Sequence, residues 1–139
     1  MKLYVLNMYW LYMGFILGVS FLATPIKFKA PGLTLPVALE IGQATFHFFN
    51  KVEWGFVLFF LGSAMFLRVP WIFVVAIVLL VILCVDTFGL LPKLDHRIAL
   101  IAQGQKPTPS MLHKYYVALE ISKVMIIACA AFYLQRRLV

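Results

Sequence analysis

The sequence predicts an all-α fold, an integral membrane four-helix antiparallel bundle formed as a single domain over residues 1–139. Three observations predict it. Apolar residues make up 64% of the chain and charged residues only 12%, an apolar share far above that of a soluble domain. Four apolar stretches each approach the roughly 20 residues that a membrane span requires. The segments between them hold the Pro, Gly and basic residues that punctuate helices.

The first span covers about 3–25, "LYVLNMYWLYMGFILGVSFLATP". It is too long for the apolar region of a signal peptide, so it is expected to stay in the membrane. Tyr4, Tyr9, Trp10 and Tyr12 lie near its start and are expected to act as interfacial anchors. Gly14 and Gly18 form a G-x-x-x-G, a spacing that lets another helix approach, within the bundle or in a dimer. The second span, about 44–67, sits inside a longer helical pattern that Pro36 can open. Its first turns are expected to project from the hydrocarbon. The third span, about 70–91, is apolar almost all round. Only "RVP" separates it from the second, which makes those two helices antiparallel neighbours. The last loop contains Leu94, Ile98 and Ile101 at helical spacing, with Gly104 as a stop, so a short helix lying on the membrane surface is expected. The fourth span, about 112–135, comes after Ser110.

Four spans place both termini on one side and the first and third loops on the other. The loop side holds Lys27, Lys29, Lys93, Arg97, Lys106 and Lys114, against Lys2, Arg68, Arg136 and Arg137 on the terminal side. The excess predicts that the first and third loops are cytoplasmic. The net charge of +7 therefore points to anionic lipid headgroups as partners, and away from nucleic acid. Cys84 and Cys129 have neither disulfide-framework nor zinc spacing, and read as small buried hydrophobes.

The chemistry is concentrated in polar residues inside the spans. On the fourth, His113, Tyr116, Glu120 and Lys123 fall within roughly 80° of one another on a helical wheel. On the second, Gln43, His47, Asn50 and Trp54 form a stripe flanked by Lys51 and Glu53, and the third adds Asp86. Counted at about 1.5 Å per residue, the ionisable residues within the spans share the loop-side leaflet. A charged group at the bilayer centre costs about 2.5–3.5 kcal/mol, so these groups should face one another or a water-filled cavity. Lys51 or Lys123 is expected to pair with Glu53, Glu120 or Asp86. The candidate ligand-binding set is His47, Asn50, Lys51, Glu53, Asp86, His113, Glu120 and Lys123. The acids and lysines would pair or hold a charged ligand, and Asn50 and the histidines would orient it. No metal site is indicated. No nucleotide-binding, zinc-protease or serine-nucleophile motif is present, so no reaction is specified.

Two stretches, "GFILGVSFLATPIKFKA" and "LDHRIALIAQGQKPTPSMLHKYYVALEISK", resemble small four-span bacterial membrane proteins of the copper-resistance D and haem-associated protoporphyrinogen oxidase type. They cover about a third of the chain. The resemblance implies a four-helix architecture. It also implies a haem-ligating His in the first span, yet "VLNMYWLYMG" holds none. Two functions are expected on these grounds. The first is a non-enzymatic membrane protein that binds a small ligand or lipid in a polar half-cavity, or serves as an accessory subunit of a larger complex or a homo-oligomer. The alternative is a haem- or porphyrin-dependent oxidoreductase, with His47 or His113 as axial ligand and Glu120 and Lys123 handling protons or propionates.

Overall fold

The computed structural model describes residues 1–138, and these form four long helices with no strand among them. They are α1 (Lys2–Lys27), α2 (Leu35–Leu67), α3 (Pro70–Ala102) and α4 (Leu112–Arg136). Three of them, α1, α3 and α4, are long and apolar enough to cross a membrane. In α2, Asn50, Lys51 and Glu53 interrupt the apolar run.

Local chemistry sets the boundaries. Thr34 is extended and Pro36 falls in the first turn of α2, where its missing N–H is not needed. Arg68 ends α2 in the left-handed region at φ 53°, Val69 is extended, and Pro70 opens α3. This reversal sets α2 and α3 side by side in opposite directions, as cross-contacts at Trp54–Thr87 and His47–Asp95 show. The other neighbours are antiparallel too, with Trp10 against Phe132, Tyr9 against Phe60 and Trp71 against Tyr133. The contacts run α1–α2–α3–α4 and back to α1, leaving α2 and α4 across a diagonal.

Each helix presents one inward stripe. Val5, Tyr9, Tyr12 and Ile16 of α1 are buried, as are Val57, Phe60 and Ala64 of α2, Ile72, Ala76, Leu79 and Leu83 of α3, and Ile127, Ala131 and Leu134 of α4. The alternating steps of three and four residues are those of antiparallel bundle cores. Tyr9 and Tyr12 correct an expectation. Both have no solvent exposure, because they lie on the inward stripe and stack on Phe60 and Phe56. Tyr4, on the outward face, is exposed.

Three further expectations are revised. The helix over 94–101 exists, but it continues α3 rather than lying as a separate piece. Pro92 is accommodated because the preceding Val85–Leu90 segment is wound as a π-helix, whose longer hydrogen-bond step absorbs such interruptions. The G-x-x-x-G does not pack within the chain, since a side chain built at Gly14 or Gly18 would meet nothing within 4 Å. Cys129 is exposed and Cys84 only half-buried, so neither is a core residue.

Candidate functional site

Toward the first and third loops, the apolar stripes turn polar at one level. The α2 stripe of Phe60 and Val57 steps back to Glu53. The α3 stripe of Leu79 and Leu83 steps on to Asp86, and the α4 stripe of Ile127 steps back to Lys123 and Glu120. These are core positions filled by charge. The ammonium of Lys123 lies 2.5 Å from Glu53 Oε1 and 3.1 Å from Asp86 Oδ2, and it also pairs with Glu120 one turn away. None of the four is more than 2% exposed. The Lys123–Glu53 pair joins the diagonal helices α4 and α2 through the centre.

Hydroxyl groups from α1 complete the cluster. Tyr12 donates its hydroxyl hydrogen to Glu53 Oε1 at 2.8 Å, and Ser20 donates to Glu120 Oε2 at 2.9 Å. All four helices therefore meet here. Ser20 lies in Leu17–Ala23, and Asp86 in Val85–Leu90, the two π-wound segments among the described residues.

A second polar layer lies beside it. Thr87 donates to the Leu83 carbonyl at 2.7 Å, Asn50 Nδ2 donates to Thr87 at 3.0 Å and Trp54 Nε1 at 3.2 Å. One turn further out, Asp95 receives Gln43 Nε2 at 2.9 Å and His47 Nε2 at 2.7 Å. This layer is half open to solvent.

Of the eight candidate residues, the structure brings Glu53, Asp86, Glu120 and Lys123 into one cluster and buries Asn50 next to it. His47 is held by Asp95 instead. Lys51 is exposed, because Glu53 two positions on occupies the inward stripe; of the two lysines, it is Lys123 that pairs with the acids. His113 is exposed at the start of α4 and lines a cavity there.

At the loop-side ends of the helices the cavity has an inner and an outer lobe, with four lining residues in common. The inner lobe, about 410 Å³, reaches Ser20, Tyr116 and Glu120, so one member of the charged cluster, Glu120, lies in its wall. The outer lobe, about 260 Å³, is walled by Leu39, Phe46, Leu94 and Ile98. Thr24, Phe28, Phe46 and His113 line both. The ionisable groups lining the outer lobe are Lys27, Arg97 and His113, all of them basic. Lys27 has no carboxylate partner among the described residues. Its ammonium rests about 5 Å above the rings of Phe28 and Phe46 and against Gly42, where a side chain would collide with it.

Sequence reasoning missed Tyr12, Ser20, Thr87 and Asp95 as members of these layers, and Lys27 and Arg97 as wall residues. Tyr12 was legible, since it keeps the three-and-four spacing from Ile16 back to Val5. Ser20 keeps the same spacing, four residues beyond Ile16, and was legible on the same ground. Asp95 was hidden by the expectation that its helix leaves the bundle.

The haem implied by the family resemblance does not fit the first span. The inward positions of α1 are Val5, Tyr9, Tyr12 and Ile16, packed against Phe60 and Phe56, with no imidazole among them. Among the described residues, no three His, Cys, Asp or Glu side chains are grouped to hold a metal ion. No protein-family model, curated protein or solved structure matches this chain.

Proposed function

We propose that this chain is a four-span integral membrane protein, an antiparallel four-helix bundle, that binds a small anionic amphiphile or lipid headgroup in its loop-side cavity. The observation that carries the reading is the wall chemistry of the outer lobe: apolar side chains, with Lys27, Arg97 and His113 as its ionisable groups. A phosphate or carboxylate would face Lys27 and Arg97, with His113 beside them, while its apolar part lies on Leu39, Phe46, Leu94 and Ile98. Lys27 supports this most directly, being a cation held between two rings with no acid among the described residues to neutralise it.

The membrane reading rests on the outer surface. Phe66, Phe88, Met65 and Phe48 are each more than 70% exposed, which suits lipid as the surrounding medium. Glu53, Asp86, Glu120 and Lys123 face inward, as an apolar solvent requires. With α2 as the fourth span, the Lys123 cluster lies about 20 Å from the terminal-side end of α4, inside the hydrocarbon. The basic excess on the first and third loops supports cytoplasmic loops, in a bacterial inner membrane on this reading.

The test is native mass spectrometry of protein extracted from its membrane in mild detergent. A retained anionic amphiphile is expected, and it should be lost in Lys27→Gln/Arg97→Gln protein that remains folded. Retention of the same molecules by the variant would defeat the reading. Copurifying subunits with an empty cavity would favour an accessory role instead.

A further inference from the structure

The Lys123 cluster does not balance its charge. Three carboxyl groups, on Glu53, Asp86 and Glu120, surround one ammonium. With all four ionised, the cluster would carry two uncompensated negative charges at positions with essentially no solvent exposure. Moving even one unpaired ion into such a place costs several kcal/mol after relaxation, and a buried group escapes that cost by becoming neutral.

Every facing group can be named. From α1 come the hydroxyls of Tyr12 and Ser20, from α2 Glu53, from α3 Asp86, and from α4 Glu120, Lys123 and the inner-lobe hydroxyl of Tyr116. None but Lys123 brings positive charge. Of the other basic side chains, Lys27 and Arg97 line the outer lobe, and His113 lines both lobes, sharing the inner one with Glu120. Asp86 supplies an independent sign that something is missing. It is 1% exposed, its Oδ2 faces the ammonium, and its Oδ1 has no hydrogen-bond partner among the described residues. A buried oxygen left without a donor is rare.

We infer that the Lys123 cluster is a proton-binding site, in which one or two protons are shared among Glu53, Asp86 and Glu120 and exchange with water through the loop-side cavity at Glu120. Each proton taken from cavity water forms an O–H bond on a carboxylate and removes one negative charge. The inner lobe ends on Glu120. On the opposite side, Tyr9, Tyr12 and Phe60 close the core with no exposure, so exchange is one-sided. The inference does not depend on which amphiphile, if any, occupies the outer lobe.

The composition makes the test clean. The chain has five acidic side chains. Outside the cluster these are Glu40, which is exposed, and Asp95, which is held by His47 and Gln43. Infrared spectra would be recorded at neutral pH on wild-type protein, free of ester-containing lipid and detergent. A carboxylic-acid C=O band equivalent to one or two groups is expected. It should shift when H2O is replaced by D2O, and shrink in Glu53→Gln, Asp86→Asn or Glu120→Gln protein. Absence of the band in folded wild-type protein overturns the inference, as does a band that ignores all three substitutions. A band that never shifts in D2O overturns the route through the cavity. A stoichiometric sodium or potassium ion with all three acids ionised also overturns it. Lys27→Gln/Arg97→Gln protein should keep the band, which separates failure of this inference from failure of the ligand reading.

Discussion

Two polar stations join α2 to its neighbours, and they differ in one respect that decides their energetics. At Asp95, a carboxylate meets His47 and Gln43 with good geometry, yet the His47 side chain is 48% exposed. At Lys123, an ammonium meets three carboxylates with essentially no exposure. Water competes for every group of the first station, while the second has essentially no exposure and meets the cavity only at Glu120. An exposed pair contributes about 0–1 kcal/mol. A buried pair adds little net stability once desolvation is counted, but losing one partner is severe. The outer station holds two helices in register, while the inner one makes four helices depend on one another.

The largest expected effect comes from breaking the inner station at its centre. Lys123→Met removes the sole cation and should destabilise the protein by about 3–5 kcal/mol at neutral pH, read from thermal melts in detergent. The loss should shrink as pH falls, because the three acids can then fill with protons. A small, pH-independent change would show that the cluster does not act as a charged unit. Adding Glu120→Gln should recover part of the loss, giving a double mutant better than the sum of the singles. Strict additivity would deny coupling between the two groups.

Tyr12→Phe is the intermediate case. It keeps the ring stacked on Phe56 and removes the 2.8 Å hydrogen bond to Glu53. A cost of about 1–3 kcal/mol is expected, since the charged acceptor is left short of a donor. No change would mean that the hydroxyl is dispensable and that Glu53 relies on Lys123 alone. The smallest effect belongs to the outer station. His47→Gln should move stability by no more than about 1 kcal/mol, and a loss as large as that from Lys123→Met would erase the contrast between the stations.

Much of this arrangement is legible in the residues alone. Glu120 and Lys123 stand one turn apart, and Glu53 and Asp86 sit in apolar surroundings, so their convergence is dictated by the cost of exposing charge to hydrocarbon. The antiparallel α2–α3 pair is dictated by a link only two residues long. Tyr9 and Tyr12 are harder, because tyrosines near a span's end read equally well as anchors or as core; only the stripe that they share with Val5 and Ile16 separates the two. Lys51 and Glu53 show the same limit, as residues two apart point to different faces and the sequence does not say which face is inward.

By itself the sequence determined the all-helical class, the four helices and their turns, and the level at which charge collects. These depend on residue type and on spacing along one chain, where the helical repeat alone relates one side chain to the next. Tertiary structure decided that Glu53 rather than Lys51 faces the centre, that Tyr12 and Ser20 of α1 meet acids from α2 and α4, and that α3 runs on past Pro92 so that Asp95 meets His47. It also made a cavity wall from Lys27 and Arg97, which are 70 residues apart in the chain. Those outcomes depend on the rotation of each helix about its own axis and on which neighbour it meets, and packing between helices sets both.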